Sequence, residues 1–133
     1  MLGRKLELVV YGDGSDPATA VRLYDKLFAQ DKVDLVLGPI APRTTDAVAD
    51  VTEKHKMPLV APNASATSIC RKGRKSIFSM NPPADVYLEG LLDLAAKKGL
   101  KTVALINGDE PFGRAVTQGA LELAKRASFP RRP

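Results

Sequence analysis

The chain has 133 residues, 44% of them hydrophobic and 26% charged, with a formal net charge of +5. This is the composition of a globular domain, or of one lobe of something larger. It excludes a membrane-spanning run, which needs roughly 18 consecutive apolar residues. The lone Cys70 excludes an internal disulfide, and Met1-Leu-Gly-Arg-Lys5 passes into a strand-like run without a secretory pattern.

Leu6-Glu-Leu-Val-Val-Tyr11 reads as a strand, stopped by Gly12-Asp13-Gly14. Asp16-Pro17 reads as an N-cap followed by proline at the first helical position. Ala20, Leu23, Tyr24, Leu27 and Phe28 then recur at helical spacing. Val33–Leu37 is a short, almost wholly apolar strand, as in a sheet covered on both faces. Thr44 or Thr45 is placed to cap the next helix, with Ala47, Val48 and Val51 facing inward.

Pro58–Ala61 is a third strand and Ser76–Met80 a shorter fourth. Pro83 opens a helix with apolar positions at Val86, Tyr87, Leu91, Leu94 and Ala95, and Gly99 ends it. Thr102–Ile106 is a further buried strand, Asn107–Pro111 a turn, and Gly113–Ala127 the last helix. The order β-α-β-α-β-β-α-β-α implies an α/β fold: a three-layer, doubly wound, mostly parallel sheet with right-handed crossovers. Residues 1–127 form the folded unit, and 128–133, rich in Pro and Arg, a disordered tail.

In such sheets ligands bind beyond the carboxyl ends of the strands. Thr44, Thr45, Ser65 and Thr67 fall there, near helix N-termini, an arrangement suited to a small anion such as a carboxylate. Turn-forming and capping are the competing roles for Ser65 and Thr44. His55 stands at a helix end beside Lys54 and Lys56, where it complements the dipole. No His, Cys or carboxylate cluster has metal-ligand spacing, and no nucleophile lies beside a base, so neither metal, cofactor nor catalysis is expected. The basic run Arg71-Lys72-Gly-Arg74-Lys75 lacks interleaved aromatics for base stacking, so it reads as a solvated loop and no nucleic-acid partner is expected.

Several segments together resemble the substrate-binding proteins of branched-chain amino-acid ABC transporters. They are Gly3-Arg-Lys-Leu-Glu-Leu-Val9 with Asp13 and Ser15-Asp-Pro17, then Leu27–Gly38, then Met57-Pro-Leu-Val-Ala-Pro62, then Asp109-x-x-Phe-Gly113. The resemblance covers roughly residues 3–126. It implies a type I periplasmic binding fold and a periplasmic or extracellular protein that hands an amino acid or small carboxylate to a membrane permease. It carries α-carboxylate binding to Ser65, with Asn63 and Ala64 offering backbone groups, and points to the loop after Gly38-Pro39. There Pro42, Arg43 and Thr44 replace the family's frequent Ser, which passes the role to Thr44. Phe112 stands where the family usually has Tyr, and is expected to border the ligand cleft.

The resemblance also implies a strand and helix upstream of Gly3 and a second lobe downstream, so the chain reads as an incomplete first lobe. Leu6–Tyr11 is then expected to pair directly with Val33–Leu37, or to leave a gap filled from another chain. Self-association through an unpaired strand edge follows. An intracellular or receptor-type sensing domain of the same fold, with a regulatory protein partner, is the alternative reading.

Overall fold

The computed structural model describes residue 3 and residues 5–126; the predicted tail at 128–133 lies outside the described residues. Helix α1, Pro17–Ala29, starts as its sequence dictates: the Asp16 carboxylate accepts from Thr19 N–H at 2.7 Å, and Pro17 takes the first helical position. Strand β1 is Val36–Leu37, α2 is Pro42–Lys54, β2 is Leu59–Ala61 and β3 is Ile77–Ser79. Between the last two lies a single helical turn, α3, Thr67–Cys70. Among the described residues the strands form one parallel sheet in the order β1-β2-β3, with Val36 beside Leu59 and Leu59 beside Ile77.

That row points toward α1 and α2. Ala20 and Tyr24 of α1, Val48 and Ala49 of α2, Val36 and Leu59 form one buried cluster, with Ile77 packed against it. The neighbouring row carries Leu37, Val60 and Phe78 on the opposite face, by the alternation of a strand, and there Leu37 and Phe78 are exposed. The parallel α/β arrangement is as expected. Helix cover over the Leu37 and Phe78 face is not found among the described residues.

Beyond β3 a 3-10 turn, Ala84–Val86, leads into α4, Glu89–Lys97, and then α5, Pro111–Arg126. The turn and α5 approach so closely that a Cβ on Gly119 would collide with the Asp85 backbone. Gly99, at φ +70°, terminates α4; its N–H donates to Ala96 and that of Leu100 to Ala95.

Several expectations fail for identifiable reasons. Leu6–Tyr11 and Thr102–Ile106 lie in no strand ladder and are exposed throughout. Both are apolar enough for a sheet interior, but each lacks a neighbouring strand to supply hydrogen bonds. Leu6–Tyr11 does not pair with β1; a cleft of about 990 Å³ separates residues 5–13 from residues 31–37.

Helix α2 begins at Pro42 with Ala41 as an N-cap that makes no side-chain bond. Thr44 and Thr45 therefore sit inside the first turn rather than capping it. The inner face of α2 holds Thr44, Thr45, Val48, Ala49 and Thr52, with Val51 only partly buried and Ala47 outside it. Threonine is tolerated there because Thr45 Oγ1 donates to Pro39 O and Thr52 Oγ1 to Ala49 O, each at 3.0 Å. Pro83 precedes a 3-10 turn instead of opening the α-helix, and α4 buries Leu92 and Ala95 while Leu91 and Leu94 face outward.

Most of the basic loop is exposed, as expected, but it is also ion-paired to α2. Arg74, whose side chain is 6% exposed, bonds Asp46 at 2.7 Å and Asp50 at 2.6 Å, and Lys72 reaches Asp46 at 2.6 Å. The Glu53 carboxylate accepts from the N–H groups of Lys75 and Ser76. Asp46, Asp50 and Glu53 recur at helical spacing along one stripe of α2, so the loop before β3 is clamped along that helix. Arg71 pairs with Asp85 at 3.1 Å.

Candidate ligand site at the carboxyl ends of the strands

Two loops and an aromatic pair lie beyond the carboxyl ends of β1, β2 and β3. The first follows β1. Gly38 adopts φ +88°, open to glycine, and the Gly38–Pro39 peptide is cis. Tyr24 Oη donates to Gly38 O at 2.7 Å and fixes this turn from below, and burial raises the Tyr24 phenol above its ordinary range. The turn delivers the N-terminus of α2. Its Arg43 and Thr44 N–H groups precede the first intrahelical bond, Thr45 N–H to Ala41 O, and so are free to meet a ligand.

The second loop, Pro62–Ala66, follows β2. Ala64 and Ser65 are buried, Ser65 to 2% exposure. Ser65 O accepts from Ala84 N–H at 2.8 Å, and Ala64 O lies 3.4 Å from the Ser79 hydroxyl. The Asn63 side chain accepts from Asn81 Nδ2 at 2.7 Å. The Ala64 and Ser65 carbonyl groups are thus held by β3 and the 3-10 turn. Among the described residues neither the Ser65 hydroxyl nor the N–H groups of Ala64 and Ser65 enter a hydrogen bond. Thr67 Oγ1, in α3, is buried and unpartnered among the described residues. The loop thus presents N–H and hydroxyl donors that the other described residues do not use.

The third element is aromatic. Phe112 sits in the first turn of α5 and is partly buried, its ring 5.7 Å from that of Tyr87 in an edge-to-face arrangement. Tyr87 directly follows the 3-10 turn that binds Ser65 O, so the turn joins the Ser65 loop to the ring pair. The N-terminus of α5 itself is occupied: Glu110 accepts from Phe112 N–H at 3.0 Å and Gly113 N–H at 2.6 Å.

Of the residues singled out in the sequence, Asn63, Ala64 and Ser65 thus share one loop, Phe112 stands beyond the adjoining turn, and Thr44 lies at the mouth of α2. The 990 Å³ cleft touches Thr44 but none of the other four, so it is a separate feature. Asn81 and Tyr87 were not singled out. Asn81, just past β3, shows its role only through its bond to Asn63, and Tyr87 only through its ring contact. His55 packs its ring 5.0 Å from Phe28 and lies 3.6 Å from Asp25, on the far side of α2 from its N-terminus. Among the described residues no group of His, Cys, Asp and Glu is gathered to hold a metal.

The periplasmic binding protein family profile matches residues 1–130. The leucine-, isoleucine-, valine-, threonine- and alanine-binding protein of Pseudomonas aeruginosa is 28% identical over 120 residues, 86% of this chain and 31% of that protein. A crystal structure of an ABC-transporter solute-binding protein from Rhodopseudomonas palustris BisB5, in complex with 3,4-dihydroxybenzoic acid, superposes with a TM-score of 0.85. It is 25% identical, covering 94% of this chain and 34% of that one. A leucine-binding protein from Thermotoga maritima shares the fold at a TM-score of 0.84 and 20% identity. The chain spans about a third of the length of these relatives. With nearly its whole length matched by the profile, the chain belongs to the periplasmic binding protein family.

Proposed function

We propose that this chain supplies the carboxylate-facing wall of an extracytoplasmic ligand-binding site, in a protein that captures an amino acid or related small carboxylate and delivers it to the permease of an ABC uptake transporter. The observation that carries this reading is the Pro62–Ala66 loop. At its buried residues the Ala64 and Ser65 carbonyl groups are satisfied by the protein while the Ser65 hydroxyl and the Ala64 and Ser65 N–H groups are not. Donors without acceptors suit an anion. Thr44, at the free N-terminus of α2, adds a hydroxyl and the positive end of a helix dipole.

Asn63 holds the loop through Asn81, and Phe112, braced by Tyr87, offers an apolar wall. The ligand-binding unit on this reading is residues 1–127. Relatives named for branched-chain amino acids and a structural relative holding a dihydroxybenzoate support a small carboxylate with an apolar or aromatic body. Phe112 keeps a ring but no hydroxyl, which favours an apolar contact over a polar one. Family membership supports a periplasmic location and a permease partner.

Isothermal titration calorimetry against amino acids and hydroxybenzoates, on the longest polypeptide carrying this sequence, tests the reading. Ser65→Ala is expected to weaken binding by about 1–3 kcal/mol, the range for losing a hydrogen bond to a charged group. Unchanged affinity in that variant rejects the assignment of Ser65.

A further inference from the structure

The 3-10 turn Ala84–Val86 lies between the Ser65 donors and the aromatic pair, and it holds each by a different contact. At its start the buried Ala84 donates its N–H to Ser65 O at 2.8 Å. That bond ties the turn to the residue whose own hydroxyl and N–H the other described residues leave unused. Just past its end Tyr87 packs edge to face on Phe112, the ring centres 5.7 Å apart. Between these two points Asp85 is gripped from both sides. Its carboxylate accepts from Arg71, the residue that ends α3. Its backbone lies against Gly119 of α5.

Gly119 is there for space. It is buried inside α5 and has no positive φ, so the backbone does not call for glycine. A glycine within a helix weakens it relative to alanine. A Cβ at this position, however, would fall on the Asp85 carbonyl. Phe112 and Gly119 are seven residues apart on α5, two turns along one face and about 10 Å along the axis. The helix therefore meets the segment 85–87 at two points, its glycine on Asp85 and its ring on Tyr87. Two contacts along one helix fix the Phe112 ring against the turn, and the Ala84 N–H fixes the turn against Ser65.

We propose that this turn, seated on Gly119, is the spacer of the ligand site. It sets how far the Phe112 ring stands from the Ser65 donors, and through that distance the size of carboxylate body the site accepts. This rests on the reading of the Pro62–Ala66 loop as the carboxylate-facing wall. Gly119 and Tyr87 are positioning residues on this account: they act through the turn and through Phe112.

Isothermal titration calorimetry with alanine, valine, leucine, phenylalanine and 4-hydroxybenzoate as probes, on the longest polypeptide carrying this sequence, tests the proposal. In Gly119→Ala the added methyl drives α5 and the turn apart, and the ring withdraws from Ser65. Small probes then lose contact while large ones gain room. The affinity ratio of the larger to the smaller probes is expected to rise at least about tenfold, the lower end of what the fit of one methylene is worth. Tyr87→Leu leaves the Gly119 contact in place and removes the brace of Phe112, so the same ratio is expected to rise by a smaller factor. Tyr87 is exposed, so this variant carries the test if circular dichroism shows Gly119→Ala unfolded. A purely structural role would weaken every probe alike. An unchanged ratio in the folded variants, with Ser65→Ala still weakening all probes, overturns the spacer and leaves the carboxylate wall standing. A wild-type protein that binds no probe, or binding that ignores Ser65→Ala, overturns the reading of the loop and the spacer with it.

Discussion

The middle of this molecule and its two extended flanks have similar apolar content and opposite fates. From α1 to β3, every strand has a neighbour and the helices α1 and α2 close over Val36, Leu59 and Val48. The runs 5–11 and 100–107 are as apolar, yet Leu6, Leu8, Val10 and Ile106 stand in solvent. A strand gains stability from hydrogen bonds and cross-strand packing, neither of which it can make alone. Apolar sequence therefore defines a candidate for the sheet, and a partner of matching register makes it a strand.

The largest test of that contrast compares two aliphatic residues. Leu59→Ala, at a fully buried strand position, is expected to lower the unfolding free energy by about 2–5 kcal/mol. Ile106→Ala, in a flank, should change it by less than about 0.5 kcal/mol in dilute solution. Urea denaturation reads both, and equal effects would erase the distinction between middle and flanks.

A smaller effect is expected at the clamp that holds the basic loop to α2. Arg74 binds two carboxylates and the Asp46 carbonyl from a nearly buried position. Its loss returns the exposed Asp50 to water and leaves Asp46 with Lys72, so Arg74→Met should cost about 1 kcal/mol in the same assay. A change near zero would mean that the loop is held by packing alone.

The subtlest test is pH. The Lys75 and Ser76 N–H groups hold the Glu53 carboxyl below its usual range. At Asp46 burial opposes the charge, but hydrogen bonds from Lys72 and Arg74 outweigh it and also lower the pKa. A carboxyl whose folded pKa is depressed stabilises the fold fully above its unfolded value, and that contribution is lost as pH falls through the folded value. Urea midpoints should therefore decline from pH 7 to about pH 3 across the carboxylate range, and less steeply in Glu53→Gln. Parallel profiles would remove Glu53 from the account.

Local chemistry made much of this molecule legible. The Asp16-Pro17 helix start, the Gly99 stop and the strands around Leu59 and Ile77 were all readable, because caps, turns and unbroken apolar runs act over a few residues. The Ser65 loop was readable as a strand end rich in hydroxyl groups. Its bonds to Ala84 and Asn81 were not, since they join residues more than fifteen positions apart. The ion-paired role of the basic loop was hidden for the same reason: Arg74 meets Asp46 across 28 residues.

The sequence by itself determined the α/β class, the approximate positions of α1, α2 and α5, and the small hydroxyl residues at the ends of strands, since each follows from periodicity or from a short turn. Only the tertiary structure decided which apolar runs became strands, and that three threonines of α2 face inward. It alone showed that Leu6–Tyr11 and Val33–Leu37 stand on either side of an open cleft. Pairing and burial depend on which surfaces meet, and a single segment carries no information about its neighbour.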